Sequence, residues 1–254
     1  YRAPQAYSED LHVEAVGGNV SLIVLDPDLR PEYSNSLSAS ADWYFFAGPV
    51  QMNILGEVFH TNLKDVFALE AIGRDDSGNI LLERKNESGA LISGGNIELK
   101  ANYGNSLSAQ AGFTFQSSRY KELYKWSDDE EASSDKRMHR TPDNYGYFTL
   151  SWNPYKRFNV SATTVYTGSM IIPHFAGYIE RDRLEKTSSF WDMGIKLAYD
   201  IKFGGDFVLQ INAGVKNILD SYQKDLDKGS LRDAGYVYGP GNPRTLFAGI
   251  KIDL

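Results

Sequence analysis

The sequence of 254 residues contains no cysteine. This absence excludes a disulfide framework, a thiolate metal site and a cysteine nucleophile. The chain also has no run of about 18 apolar residues, so it offers no candidate for a transmembrane helix. Basic residues do not cluster, and the formal net charge is −7. Nucleic acid is therefore not an expected partner.

Catalytic signatures are lacking as well. The four histidines show no paired spacing, and neither an H-E-x-x-H nor a G-x-S-x-G motif occurs. Only His174, in the segment 171–175, is a candidate for the active site of a hydrolase at a membrane rim. We therefore expect no covalent chemistry and no cofactor.

The sequence begins without an initiating methionine or a signal peptide, and Tyr1 lies in the middle of a pattern. We interpret the chain as a piece of a longer protein. Its mean hydropathy is below zero. A membrane barrel remains compatible with this value, because only every second residue of a barrel strand contacts lipid.

What the sequence does contain is residue alternation with a period of two. In the terminal segment 244–254, apolar residues from Leu246 to Leu254 alternate with a mixed polar set, as in a β-strand with one apolar face. A chain that ends inside such a strand is typical of a closed barrel, whose last strand pairs with its first. The same alternation predicts nine strands, at about 34–47, 50–63, 92–103, 106–120, 145–152, 157–170, 189–201, 206–219 and 244–254.

The connections between these strands alternate in length. Short turns follow the first, third, fifth and seventh strands, and long connections follow the second, fourth, sixth and eighth, at about 64–91, 121–144, 171–188 and 220–243. All short turns then lie at one end and all long loops at the other, as in outer-membrane β-barrels. Aromatic residues beside the short turns predict a periplasmic girdle formed by Trp43, Phe45, Trp152, Phe158, Tyr199 and Phe207. A water-soluble sandwich or lipocalin-type barrel is the alternative.

This interpretation assigns the two faces of the sheet. Lys196 and Lys216 should face the barrel interior, while Met193 and Ile211 should face lipid, where a charge would cost a few kcal/mol. A structure with these lysines on the same face as Met193 and Ile211 would show that the register is wrong.

Several segments resemble TonB-dependent outer-membrane receptors. The segment 1–10 followed by 29–34 resembles their "R-A-P…E" and "L-x-P-E" pair, and 215–220 resembles their "N-L-F-D" strand end. The segment 238–254 resembles their terminal "P-G-R-x-(Y/F)-x-x-G" strand. The segments 140–147 and 166–170 are similar to the Bacteroidetes branch. The resemblance covers essentially the whole chain.

The resemblance implies an all-β, antiparallel transmembrane barrel of 22 strands, of which this chain would be the carboxyl-terminal part. It implies import of a scarce large solute, such as an iron-siderophore, haem, cobalamin or a glycan. The external loops would capture the solute, and TonB would rearrange a plug domain that this chain lacks. Outer-membrane lipid and lipopolysaccharide would be further partners. The alternative is a small complete outer-membrane barrel that acts as a passive pore, an adhesin or a rim enzyme.

The family's terminal assembly signal reads Gly-x-x-aromatic-x-aromatic. The corresponding residues here are Phe247, Gly249, Ile252 and Leu254. Aliphatic side chains therefore replace the two aromatic rings of the signal.

The long loops carry the candidate binding residues, since loops on a rigid scaffold commonly determine specificity. Their aromatic residues can stack on sugars, catechol rings or a tetrapyrrole face. The candidates are Tyr124, Trp126, His174, Phe175, Tyr178, Tyr222, Tyr236 and Tyr238. The alternative is that these side chains pack the loops against one another.

Two charged segments are further candidates. Asp225, Asp227 and Asp233 lie in a segment that begins Asp-x-Asp-x-Gly like a calcium loop, but Tyr236 stands where such a loop has its bidentate Glu. A solvated, salt-bridged loop is the alternative there. The acidic run 128–131 is followed by the basic run 136–140, whose cations could face lipopolysaccharide phosphates.

Overall fold

The computed structural model describes residues 1–3, 21–76, 80–127, 129, 131–204 and 207–253. This part of the chain folds into fifteen strands. They are β1 (Ser21–Leu25), β2 (Tyr33–Ala47), β3 (Val50–Lys64), β4 (Val66–Arg74), β5 (Ile80–Glu87), β6 (Ala90–Tyr103), β7 (Leu107–Tyr124), β8 (Asp135–Arg137), β9 (Asn144–Tyr155), β10 (Phe158–Thr167), β11 (Ile171–His174), β12 (Arg183–Lys186), β13 (Phe190–Gly204), β14 (Phe207–Lys216) and β15 (Thr245–Asp253).

A search of the described residues for a helix long and apolar enough to cross a membrane found none.

Nine long strands form one antiparallel sheet in the order β15-β14-β13-β10-β9-β7-β6-β3-β2, and β8 is attached to β7. These nine strands are the nine that the alternation predicts, so the all-β antiparallel fold class is confirmed. The predicted loop ends are also confirmed, because short turns join β2 to β3, β6 to β7, β9 to β10 and β13 to β14.

Several predicted strand ends were wrong, and local backbone geometry explains two of them. β9 continues through Tyr155, and Arg157 forms the turn with a φ of 74°. β14 ends at Lys216 because Asn217 has a φ of 46°, a left-handed conformation that no strand accommodates. β7 extends to Tyr124, beyond the predicted end, because β8 pairs with it there.

Three of the four long connections are not plain loops, as the sequence had suggested, but contain strands of their own. β4 and β5 pair as a hairpin, and β1 joins β5 in parallel. β11 and β12 form a second small hairpin. Asp65, with a φ of 54°, separates β3 from β4, and its side chain accepts a 2.7 Å bond from Arg30. The residues before β2 are therefore held at the end of the sheet that carries the long connections.

The two faces of the main sheet differ as predicted. Residues paired across neighbouring strands lie on the same face, and Tyr199 of β13 pairs with Ile211 of β14. Odd-numbered residues of both strands therefore share one face with Met193, while Lys196 and Lys216 lie on the other. We refer to these as the apolar face and the polar face. The pairing confirms the predicted register.

The polar face is held together by hydrogen bonds between strands. The Asn96 amide donates to Glu57 at 2.8 Å, and the Thr114 hydroxyl donates to Asn96 at 2.8 Å. Phe247 of the terminal strand also lies on this face, with its ring over Gly214, where any side chain would collide with it. A ring that covers a neighbouring glycine supports strand pairing, which gives Phe247 a structural role apart from an assembly signal.

The sheet does not close on itself, because β2 and β15 lie at opposite ends of its strand order. A sandwich, a lipocalin-type barrel and a small self-closed barrel are therefore not what the described strands form. Several residues of the predicted girdle lie half-exposed beside the short turns, namely Trp43, Phe45, Trp152 and Tyr199. In the assembly segment, Ile252 lies on the apolar face opposite Leu209, and Gly249 lies opposite Asn212. Leu254 lies outside the described residues.

Candidate ligand-binding loop cluster

Three long connections pack into one structure at the end of the sheet away from the short turns. We call residues 125–143, 168–189 and 217–244 the loop cluster; residues 128 and 130 are not described. Ile172 is fully buried at its centre. Arg140 joins all three connections, because its backbone N–H donates to Ile171 O at 2.8 Å and its guanidinium to Val237 O at 3.2 Å and to Gly235 O.

The loop cluster folds over the polar face of the sheet. Tyr238 packs edge-on against Phe190, with ring centroids 5.7 Å apart. Phe190 pairs with Thr167 at the start of β13 and is buried. Because Phe190 has the parity of Lys196, it belongs to the polar face. The connection 217–244 therefore packs against the polar face, which is the side of the sheet that would line a barrel interior.

His174 lies at the centre of the buried polar contacts. Its Nε2 is 3.0 Å and 3.1 Å from the two carboxylate oxygens of Asp227. Its ring stacks on Tyr236 with centroids 3.6 Å apart and an interplanar angle of 9°. His174 and Asp227 are almost completely buried, with side-chain exposures of 4% and 2%. The pair thus fixes the connection 168–189 to the connection 217–244.

A carboxylate shared by two phenols forms the outer edge of the cluster. The hydroxyls of Tyr236 and Tyr238 donate to Asp225 at 2.9 Å and 2.7 Å. Burial alone would raise the pKa of the Asp225 carboxyl, but the bonds from Tyr238 and Tyr236 outweigh it and hold the pKa below its ordinary value. Burial and the bond to Asp225 raise the pKa of Tyr236, and the same causes raise that of Tyr238 to about 12.

These shifts predict how the cluster responds to alkali. A phenol whose pKa is raised on folding stabilises the fold fully below its unfolded pKa of about 10. That stabilisation is lost as the pH rises through the folded value of about 12 for Tyr238. Subtracting the phenolate absorbance of the Tyr238→Phe variant from that of the full-length wild-type receptor gives the titration of Tyr238. We expect the midpoint of this titration to lie near pH 12. A midpoint near pH 10 would contradict the shared-carboxylate geometry. Tyr155→Phe, at the opposite end of the sheet, is the control for removing a phenol.

A second histidine of the loop cluster, half-buried, was not among the candidates. His139 lies between Tyr124 and Trp126, with ring-centroid distances of 5.6 Å and 6.1 Å. Burial lowers the pKa of His139 to about 4, so the ring is neutral at neutral pH. The basic run 136–140 is consequently divided, since His139 packs half-buried between aromatic rings and the guanidinium of Arg140 binds loop carbonyls.

The predicted binding residues divide by exposure. Trp126, His174 and Tyr236 are buried at 9%, 3% and 3% exposure. These three side chains pack the loops together, as the alternative interpretation had it. Tyr178 is exposed, and the half-buried members of the set are Tyr124, Phe175, Tyr222 and Tyr238. Only the exposed and half-buried members are accessible at the surface, and their contact with a ligand stays a prediction.

The calcium candidates each have other partners. Asp225 accepts bonds from two phenols, Asp227 faces His174, and Asp233 accepts bonds from the backbone N–H groups of Phe175 and Gly235 at 3.0 Å and 2.8 Å. Within the described ranges, no group of three or more His, Asp or Glu residues is arranged to hold a metal ion. Calcium binding stays an untested prediction, and the three carboxylates stabilise the loops without it.

The "N-L-F-D"-like segment clasps the start of the last strand. The Asn217 amide donates to the carbonyls of Ser221 and Asn242 at 3.1 Å and 2.8 Å, and its oxygen accepts a bond from Ser221 N at 2.9 Å. Asp220 accepts a bond from Arg244 N at 2.9 Å. The segment therefore holds both ends of the connection that leads into β15. The sequence motif identified this segment but did not predict these contacts.

Together, the long antiparallel strands, the segregated faces and the packed loops over the polar face define an outer-membrane β-barrel wall with its external loops. The sequence matches the family model described as "TonB dependent receptor-like, beta-barrel" over residues 1–218. The chain belongs to this family of outer-membrane proteins. The apolar face is accordingly the lipid-facing side, and the long connections are external. The branch of the family stays a prediction.

Solved structures show the same fold. The chain is similar to the ferric-catecholate import receptor Fiu of E. coli K12, with a TM-score of 0.60 and 18% identity over 98% of this chain and 30% of that one. It is similar to the siderophore receptor PirA of Acinetobacter baumannii, with a TM-score of 0.55 and 18% identity over 88% of this chain and 32% of that one. It is also similar to the copper transporter OprC, with a TM-score of 0.53 and 15% identity over 88% of this chain and 31% of that one. The chain thus spans about a third of these structures. A comparison with curated protein sequences gave no match.

Proposed function

We propose that this chain is the carboxyl-terminal wall and external loop region of a receptor that imports a scarce, large solute across the outer membrane. The external loops capture the solute. TonB then rearranges a plug domain inside the barrel, and the protein itself carries out no covalent chemistry. Lipid of the outer membrane surrounds the apolar face.

The observation that carries this proposal is that the loop cluster combines a buried core with aromatic rings that remain accessible at its surface. Buried contacts such as His174–Asp227 fix the three connections relative to each other. Tyr178, Tyr222 and Tyr238 keep exposed or half-exposed rings at the surface of this rigid core. Fixed aromatic and hydroxyl groups above a polar barrel wall suit a ligand that is bound by stacking and hydrogen bonds.

The solute belongs to one of four classes: iron-siderophore, haem, cobalamin or glycan. Two of the similar structures are described as siderophore or ferric-catecholate receptors, and one is described as a copper transporter. These likenesses support a metal-containing solute as the first class to test. Stacking aromatics fit catechol rings, the haem face and sugars alike, so growth experiments must separate the classes.

The test is growth of a deletion strain in which iron-siderophore, haem, cobalamin or glycan is in turn the limiting nutrient. Full-length receptor should restore growth on one class, and it should do so only in a strain with TonB. Restoration without TonB, or no growth defect with any class, would overturn the proposal.

Substitutions then locate the capture surface. We expect the Tyr178→Ala/Tyr222→Ala variant to bind the identified solute about tenfold more weakly, because an interface aromatic commonly contributes more than 1 kcal/mol. Tyr155→Ala removes a more exposed ring at the short-turn end and should bind the solute normally. Equal binding by both variants would show that these two rings are not the capture surface.

A further inference from the structure

Three oxygen-bearing side chains meet at the outer edge of the loop cluster. The Asp225 carboxylate accepts a bond from the Tyr236 hydroxyl at 2.9 Å and another from the Tyr238 hydroxyl at 2.7 Å. The two hydroxyls also lie within hydrogen-bonding reach of each other. Each of the three groups is therefore adjacent to the other two, and their oxygens form a small triangle, which we call the oxygen triangle.

The surrounding contacts hold the two phenols in place. The Tyr236 ring is buried and stacks on His174 with ring centroids 3.6 Å apart. The Tyr238 ring packs against both Tyr236 and Phe190, at centroid distances of 5.6 Å and 5.7 Å. The buried Gln223 tethers both backbones, because its amide donates to Tyr236 O at 3.1 Å and its oxygen accepts from Tyr238 N at 2.9 Å. Ligand atoms that are supported in this way are preorganised for binding.

The oxygen triangle is accessible from outside the loop cluster. Asp225 is exposed and Tyr238 is half-buried, so one side of the triangle faces solvent. Of the three calcium candidates only Asp225 takes part, because the other two carboxylates accept hydrogen bonds elsewhere in the loop cluster. Tyr236 stands where a calcium loop has its bidentate Glu, and it supplies one of the three oxygens itself.

The spacing and charge of the oxygen triangle fit a small trivalent cation. Neighbouring oxygens around an octahedral cation, with metal–oxygen bonds of about 2.0–2.1 Å, are about 2.9 Å apart. The observed separations of 2.9 Å and 2.7 Å match this spacing. Two phenolates and one carboxylate carry three negative charges, which a trivalent cation neutralises, whereas a divalent cation leaves an unpaired charge in a half-buried place. A ligand set without sulfur or imidazole also favours a hard cation over copper or zinc.

We propose that Asp225, Tyr236 and Tyr238 ligate a ferric ion directly through their side-chain oxygens. Each phenol gives its proton to solvent as its oxygen forms a bond to the ion, so binding releases two protons and iron stays in the ferric state. The remaining positions of an octahedral ion face outward, where oxygens of water or of a chelator bind it. This inference deepens the proposed function and rests on it for the external location of the loops, since a ferric solute is then held by its metal as well as by aromatic rings.

The experiment titrates the detergent-solubilised full-length receptor with ferric nitrilotriacetate and follows visible absorbance and proton release. Binding should produce a phenolate-to-iron charge-transfer band. Tyr238→Phe should bind at least about tenfold more weakly, because losing even an outer-shell partner of a metal site costs about 10–100-fold in affinity. It should also release one proton fewer than wild type. Asp225→Asn should bind at least as weakly as Tyr238→Phe, and Tyr155→Phe, which removes a phenol at the short-turn end, should match wild type.

Heat-modifiable gel migration verifies that each variant is folded. Absence of the band in wild type, or equal ferric affinity of Tyr238→Phe and Tyr155→Phe, would overturn the site. Displacement of the iron by an equal concentration of zinc or calcium chloride would overturn the match to a trivalent cation.

The outcome is separable from that of the import experiment. A receptor that supports TonB-dependent growth but shows no charge-transfer band would overturn this inference and leave the proposed function standing. A receptor that shows the band but restores no growth would support the ferric site and overturn the proposed function alone.

Discussion

Replacing Asn217 by alanine is expected to release the last external connection and to lower the free energy of unfolding by about 4 kcal/mol. Asn217 is 2% exposed and makes three hydrogen bonds within the connection 217–244. Each buried bond contributes about 1 kcal/mol. The left-handed φ of 46° adds a further cost of about 1 kcal/mol for alanine, because asparagine tolerates this region better.

The measurement is urea unfolding of the full-length receptor. Asn217→Gly keeps the tolerance for positive φ but loses the three side-chain bonds, so it should fall between alanine and wild type. Asn102→Ala is the matched control, because Asn102 is exposed and its side chain makes no hydrogen bond with any residue that the structure describes. If Asn217→Ala and Asn102→Ala had the same free energy of unfolding, the hydrogen bonds of Asn217 would not stabilise the protein.

Replacing His174 by leucine is expected to have an effect of similar size that is confined to the loop cluster. The substitution leaves the Asp227 carboxylate buried, with the 2.9 Å bond from Asp233 N as its remaining hydrogen bond among the described residues. Breaking one side of a buried pair costs about 3 kcal/mol or more. Hydrogen exchange should accelerate in residues 168–189 and 217–244 and stay slow in β6, β7 and β9. The same variant should also bind the solute more weakly.

A double variant separates a charge effect from simple loss of packing. His174→Leu/Asp227→Leu removes both polar partners, and replacing a buried pair by apolar residues is often neutral. It should therefore recover protection that His174→Leu alone loses. Tyr178→Leu controls for a substitution in the same connection at an exposed residue. If the double variant exchanged faster than His174→Leu, the buried pair would not be the source of the stability.

The strands of the main sheet were predictable because their signal is local. Alternation along β13 and β14 predicts which residues share a face, and the observed pairing of Tyr199 with Ile211 agrees with that prediction. Strand ends were less predictable, since β14 stops at the left-handed Asn217 and β7 is prolonged by β8. Neither the φ of one residue nor a partner strand far along the chain is visible in alternation.

The binding residues were harder to predict than the strands. Residue type selected Trp126, His174 and Tyr236 as ligand contacts, yet these three are buried and hold the loops together. Composition does not distinguish an aromatic ring that packs from one that binds. Arg140 was passed over as part of a basic run, although its guanidinium connects to the carbonyl of Val237.

The sequence alone therefore determined the sheet, its two faces, the ends at which turns and loops lie, and the family resemblance. All of these depend on residues close together in the chain or on motifs read in order. Only the tertiary structure decided which side chains are accessible, how the loops are fixed, and which residues of different strands lie side by side. Those properties depend on contacts such as His174–Asp227, between residues 53 positions apart. They also depend on rows of residues aligned across strands, such as His60, Ser93 and Ser117. Burial and register arise from the packing of distant segments, and no local pattern records them.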